Sequence, residues 1–453
     1  MSGRTWDVIV VGSRVAGAAT AMLLARAGLR VLAVDRARFP SDAVSSHQIQ
    51  VPGVALLNRW GLLDELVGSG TPAAIRAHFD IDGVIVAGEF PAVDGVAAVY
   101  SPRRLLLDHV LVRAARRAGV ETREGFTVEE LLWTEGRVTG IRGRTRGGAP
   151  VTERSALVIG ADGKHSMVAR QVGARRYRSR PPASFASYGY WAGVSLDATA
   201  RMYARRGLAV AAFPTNDELS VIFLAQPRGG LDAYRSDVEA GFLAAADRCG
   251  DLGERLRDGH RAERIRTTPD LPHALTVQHG PGWALAGDAG AVMDPVTAQG
   301  ITQALRDAER LATAVLAGAG DPAQVETSLA GAQRQRDQLL RPVFDGTARL
   351  ARLPALNPVQ RALLGSATEQ PAQAAEFIAA FTGARPWQDS MTPSGTLRRL
   401  GARGVLASAR RLLTSIGRSE GAGRPVEPGS GRAAADIRDR DRSGTMGGTP
   451  GRV

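Results

Sequence analysis

Residues 6–36 read WDVIVVGSRVAGAATAMLLARAGLRVLAVDR, and the fold class follows from how apolar residues and glycines are spaced in them. Val8 to Val11 are a short apolar run ending at a glycine, the pattern of a parallel strand buried on both faces. Gly12 permits a tight turn. From about Gly17 to Ala27 apolar residues recur at helical spacing, and Gly28 ends the helix. Val31 to Val34 form a second strand that closes on Asp35. A strand–turn–helix–strand unit of this kind predicts an α/β chain with a Rossmann-like parallel sheet. It suits a dinucleotide. Gly12 allows the turn, Gly17 (beside Ala16) lets helix and strand pack closely, and the helix start offers free N–H groups to a pyrophosphate. A carboxylate at Asp35, next to Arg36, can accept hydrogen bonds from a ribose diol. The middle glycine of the GxGxxG fingerprint is Arg14, which either turns outward or brings charge to the phosphates.

The chain has 453 residues, enough for two or three domains or one large fused body. No run of 18 apolar residues occurs, so no membrane-spanning helix is expected. The chain enters a strand within seven residues and lacks a signal-peptide profile. Cys249 is the only cysteine, which excludes an intrachain disulfide and makes a cytoplasmic setting the simplest expectation. The net charge of +12 raises nucleic-acid binding. The 57 Lys and Arg residues are scattered, however, with no basic block interleaved with aromatics, and that class is set aside. A basic surface does suit acidic carriers or anionic substrates.

Further along, Phe39 to Ile49 is a polar loop. His47 sits where that loop can meet the reactive end of a cofactor; the plainer reading is a surface histidine. A helical pattern covers Val54 to Leu66, residues 75–100 alternate as strands, and a helix begins near Ser101. Arg103 and Arg104 fall in its first turn, which the helix dipole disfavours, so they mark either a local anion or a solvated pair. Residues 120–151 read as two or three strands. An apolar run from Ala156 then ends at Gly160-Ala161-Asp162-Gly163, with Ser166 at a helix start. Asp162 is a turn former or a carboxylate delivered to a nucleotide.

From about Arg175 to Gln226 the pattern becomes β, carrying Phe185, Tyr188, Tyr190, Trp191, Tyr203, Phe213 and Phe223. Such a sheet is the wall of an apolar pocket or plain core. Residues 232–256 are helical and are expected to cover a sheet edge. Residues 282–316 hold a second strong signal: a strand at Trp283–Ala286, the turn Gly287-Asp288, a loop from Pro295 to Gly300, and a helix from Ile301 with Ala304, Leu305, Ala308 and Leu311 on one stripe. The free N–H groups at Gly300 and Ile301 suit an anion. Residues 321–415 read as helices broken by Pro342, Pro354, Pro358 and Pro371, with a basic amphipathic helix at 397–416. Residues 418–453 have the composition of a disordered tail.

Three motifs in this order resemble those of the FAD-dependent oxidoreductases of the p-hydroxybenzoate hydroxylase and geranylgeranyl reductase superfamily: Gly12 to Gly17 with Asp35; Asp162-Gly163 with Ser166; and Gly287-Asp288 with Asp294-Pro295 and Gly300. The resemblance spans residues 6 to about 316. It implies a composite (GR2-type) FAD-binding domain from 1–175 and 265–320. An inserted mixed β-sheet substrate domain would take 176–264 with parts of 75–100, followed by a helical region over 321–417. It further implies that Asp35 holds the adenosine ribose, Asp288 the ribityl chain, and the helix start at Gly300 the flavin's pyrimidine edge. Arg104 with Asp108 resembles the family's Arg-x-x-x-Asp pattern beside FAD. Arg14, Ala169 and Ala298 depart from it. The Trp-x-Trp-x-Ile-Pro signature of flavin halogenases is absent, and no lysine stands in its place. No second Gly-rich unit is present, so electrons would come from transiently bound NAD(P)H or from a partner such as a flavin reductase. The expected activity is a monooxygenase using O2 on an apolar aromatic or polyketide-like small molecule, with no metal. His47, Tyr188 and Tyr190 are candidate proton-transfer residues. A reductase or dehydrogenase of carbon–carbon double bonds is the alternative.

Overall fold

The structure, a computed structural model, describes residues 5–42 and 47–390. The basic stretch at 397–416 and the tail at 418–453 lie outside the described residues. Two large sheets organise the rest.

In the first sheet the strand Thr5–Val11 lies parallel between Val151–Gly160 and Val31–Asp35. Glu121–Glu124 extends it on one side, and Trp283–Leu285, from far down the chain, on the other. Both faces of the central strand are buried, as its uninterrupted valines require. Val8 and Val10 enter a core beneath the helices Val15–Arg26, Arg104–Arg117 and Gly300–Ala317. Ile9 and Val11 enter a second core with Phe126, Ile141 and Trp283. Alternation along one strand therefore feeds two layers.

The second sheet runs His260–Arg261, Ser184–Ala192, Leu219–Pro227, Leu208–Pro214, Thr199–Arg205, Arg76–Ile81, Val84–Glu89. Its pairs are antiparallel except Thr199–Arg205 with Arg76–Ile81, where the early hairpin joins a strand from beyond residue 184. Arg266–Thr268, within the stretch assigned above to the FAD-binding part, also pairs with Ser184–Ala192.

Period-two alternation divides the aromatics between the two faces. Tyr188, Tyr190, Phe213 and Phe223 share one face with Phe79, Phe377 and Phe381. Phe185, Trp191 and Tyr203 lie on the other, where Trp191 stacks on Phe242 at 4.9 Å. The helices within 231–258 thus cover a full face rather than an edge. Their apolar residues, Phe242, Leu252 and Leu256, match a surface wider than an edge strand presents.

One proline expectation is also corrected. The helix Pro322–Leu350 runs unbroken through Pro342. Breaks do fall at Pro354, Pro358 and Pro371: one helix ends at Leu350, and Pro358–Glu369 and Pro371–Thr382 each start on their proline, since a first-turn proline loses no hydrogen bond.

Candidate functional site

The three motifs meet at the end of the first sheet. Gly12 (φ +99°) has no room for a side chain: a Cβ there would lie 2.4 Å from the Ala161 carbonyl oxygen. The Ala161 N–H donates to Val11 O at 2.7 Å, so the fingerprint turn and the Asp162 turn are in direct contact. Gly17 is held as tightly, with a Cβ position 1.8 Å from Gly12 O. Gly287 (φ +58°) has its Cβ position 2.8 Å from the Ala16 side chain. A single Cβ at any of these positions would push the motifs apart.

Asp35 accepts from the Ser13 N–H at 2.6 Å and the Ala37 N–H at 2.8 Å, which fixes its carboxylate beside the turn. Arg36 is exposed and has no hydrogen bond or ion pair among the described residues. Ser166 caps the short helix Met167–Gln171 by accepting from Ala169 N at 2.9 Å, and Asp162 Oδ2 accepts from the helix's first two N–H groups, Met167 N at 2.6 Å and Val168 N at 3.2 Å. Asp162 Oδ1 is buried with no hydrogen-bond partner among the described residues. One oxygen is therefore structural, and the other is uncommitted.

Asp288 presents its side chain to solvent although protein surrounds it at longer range, which describes a carboxylate in a cleft. That surrounding mass raises its pKa, against the opposing pull of Arg104 and Lys164. Neither Arg14, at the start of Val15–Arg26, nor Gln299, before Gly300–Ala317, caps its helix with a side chain, and neither first turn holds an acidic residue. Gly300 has open space around its Cβ position, while Ile301 is buried. Pro295 begins a 3-10 turn (Pro295–Thr297) that Asp294 caps through Val296 N, with the other Asp294 oxygen accepting from Ser184 Oγ at 2.8 Å. Uncapped helix starts, an open Gly300, a cleft carboxylate and an uncommitted Asp162 oxygen fit an extended dinucleotide such as FAD.

Arg14 is tied to protein partners while about 30% of its side chain stays exposed. Its guanidinium donates to Asp108 at 2.5 Å and to Ser41 Oγ at 3.0 Å. Arg104 donates to the same carboxylate at 2.9 and 3.1 Å. Asp108 has no exposed side-chain surface, so two arginines share one buried carboxylate. The solvated reading of Arg103 and Arg104 is revised, because both side chains are mostly buried and ion-paired, Arg103 with Asp217 and Glu263 and Arg104 with Asp108.

At the other end, His47 is fully buried, not a surface residue, and holds a positive φ of 65°. Its Nε2 lies 2.6 Å from Tyr190 Oη, and its ring meets Tyr188 edge-on at 5.4 Å. The Arg103 guanidinium sits over the Tyr190 ring at 4.8 Å. Tyr188 Oη is buried and has no hydrogen-bond partner among the described residues. Burial pushes the Tyr188 hydroxyl up to about 12 and raises Tyr190 further. Both are therefore hydrogen-bond donors at neutral pH rather than bases.

The sequence reading missed Gln48 and Gln50, which have no periodic signal. Gln50 N donates to Thr302 Oγ1 at 2.9 Å, and its amide reaches the carbonyls of Thr297 and Ala298. The His47 segment thereby runs beside the loop that starts the Gly300 helix. A separate cavity of about 770 Å³, lined by Gln303, Arg306, Arg310 and Trp387, holds none of the predicted site residues and shares only Gln299 with that loop. No group of His, Cys, Asp and Glu able to hold a metal occurs among the described residues, and no helix among them is long and apolar enough to cross a membrane.

Residues 5–247 match the family described as "FAD binding domain". Over 327 residues, 69% of this chain and 77% of the relative, the sequence is 22% identical to the 1H-pyrrole-2-carbonyl-(peptidyl-carrier protein) brominase of Pseudoalteromonas luteoviolacea. Over 357 residues, 74% of this chain and 79% of the relative, it is 27% identical to the ubiquinone hydroxylase UbiL of Rhodospirillum rubrum. Among solved structures, that of the flavin-dependent brominase Bmp2 matches with a TM-score of 0.70 at 17% identity, covering 93% of this chain and all of the other, a likeness of fold.

Proposed function

The chain belongs to the FAD binding domain family, and on the premise that it is an FAD-dependent oxidoreductase we propose a monooxygenase that uses NAD(P)H and O2 on an apolar aromatic or polyketide-like small molecule. FAD, held by the residues of this site, would supply the redox chemistry between a nicotinamide and oxygen. The chain's own residues do the rest. Asp35 and Asp288 hold the two sugar portions, and the N–H groups at Gly300 and Ile301 favour negative charge at the pyrimidine end.

One observation carries the reading: the His47–Tyr190 pair and the Tyr188 hydroxyl, which has no partner among the described residues, stand on an aromatic sheet face beside the loop that leads into Gly300. An apolar wall with a few placed polar groups is the chemistry of a small-molecule pocket. Tyr188, kept protonated by burial, donates a hydrogen bond to a substrate oxygen, while Tyr190 accepts a substrate hydroxyl proton as it passes its own to His47 Nε2, 2.6 Å away. The hydroxylase named above supports oxygen transfer. The brominases raise halogenation. Against it, the chain's one lysine, Lys164, is bonded to Asp270, and the halogenase signature is missing.

The Asp294–Gly300 loop resembles the reductase branch and sustains a second reading, reduction of a carbon–carbon double bond. The two separate on oxygen. With FAD-loaded protein, NAD(P)H and a panel of naphthols and hydroxyanthraquinones, the monooxygenase gives substrate-stimulated NAD(P)H oxidation only in air. Product formed equally well under nitrogen contradicts it.

A further inference from the structure

Gln48 is 1% exposed, yet neither its Nε2 nor its Oε1 has a hydrogen-bond partner among the described residues. A buried amide with both ends unmet is costly, because each group has lost water without gaining a partner. Its surroundings say what the missing partner must be. Ile49 bridges to Tyr100 as an extended residue and enters the core beneath the fingerprint helix. Side chains alternate along extended backbone, so Gln48 shares a side with Gln50. The Gln50 amide reaches Thr297 and Ala298, at the loop that leads into Gly300.

A primary amide offers a donor and an acceptor side by side. Its complement is a ring N–H flanked by a carbonyl, the edge of a cyclic imide. We propose that Gln48 pairs through both amide ends with the N3–H and adjacent carbonyl of the flavin's pyrimidine ring, and so positions the ring against the Gly300 helix start. This rests on the FAD reading above. A lactam or amide edge on the substrate has the same chemistry, and the contacts of the segment with Thr297–Thr302 favour the flavin.

N3-methyl-FAD separates these sources, since the methyl group removes one hydrogen bond of the flavin and leaves any substrate untouched. Binding of FAD and N3-methyl-FAD to the apoprotein is measured by flavin fluorescence for the wild type, Gln48→Met and Gln48→Glu. The wild type binds the methylated cofactor about 10-fold or more weakly. In Gln48→Met, close in shape but apolar, FAD itself weakens by a comparable factor and the preference falls to about 2-fold or less. Gln48→Glu keeps an acceptor for N3–H but loses the donor to the carbonyl, so FAD weakens by about 10-fold while the preference over N3-methyl-FAD is kept; an FAD affinity unchanged in this variant overturns the inference, which carries the test should the Met variant not fold. A preference unchanged in Gln48→Met overturns the inference and leaves the FAD reading standing, as does total loss of FAD from a variant with native circular dichroism. A wild type that binds neither cofactor sinks the FAD reading itself.

Discussion

At the scale of single residues, the site is decided by where a few charges are neutralised. Asp288 keeps a carboxylate open to the cleft, opposed only at a distance by Arg104 and Lys164. Asp288→Ala should therefore yield a folded protein that loses FAD on gel filtration, read as the ratio of flavin to protein absorbance. Retention at wild-type affinity would refute the role given to it. Arg14 carries the opposite lesson. It replaces a glycine but hydrogen-bonds Asp108, sharing that buried carboxylate with Arg104. Restoring the family residue with Arg14→Gly should cost about 1–3 kcal/mol of stability, because a charged hydrogen bond to a buried group is lost and the helix start gains a flexible residue. Urea unfolding measures this, and an unchanged midpoint would mean that Arg104 alone satisfies Asp108.

At the scale of elements, regular structure was far more legible in the sequence than the contacts that link it. The valine runs, Gly28 and the stripe of Ile301, Ala304, Leu305, Ala308 and Leu311 place the strands and helices of the first sheet because burial repeats at the element's own period. The junctions have no such period. That Gly287 touches Ala16, or that His47 meets Tyr190 across 143 positions, depends on chain crossings that local spacing does not encode. Helix coverage of a sheet face instead of an edge was hidden for the same reason. The Pro295–Gly300 loop shows a middle case: Ala298 stands out in sequence as a replaced glycine, and the structure gives the cost. It adopts φ +49°, a left-handed conformation that burdens any residue with a Cβ. Ala298→Gly should stabilise the protein by about 0.5–1 kcal/mol after the entropy of the added glycine is counted. A lowered denaturation midpoint would argue that the Ala298 methyl is a packing contact worth more than the strain.

At the scale of the whole molecule, two sheets are held in one body, with buried hydroxyl and thiol groups in both the core and the candidate site. Burial raises Tyr177 and Tyr188 to about 12 and Cys249 to about 12. These groups ionise more readily when unfolded, so their contribution is complete below the unfolded values and is lost as pH rises through the folded ones. Stability should fall steadily between about pH 9 and 12, beyond what is seen with Cys249→Ala alone. A denaturation midpoint constant across that window would show that the groups reach water. The fate of oxygen distinguishes a monooxygenase from a reductase. FAD-loaded protein, reduced by NAD(P)H and mixed with 18O2 and an accepted aromatic substrate, should give a product one labelled oxygen atom heavier. A product that forms without oxygen, or carries no label, would contradict a monooxygenase.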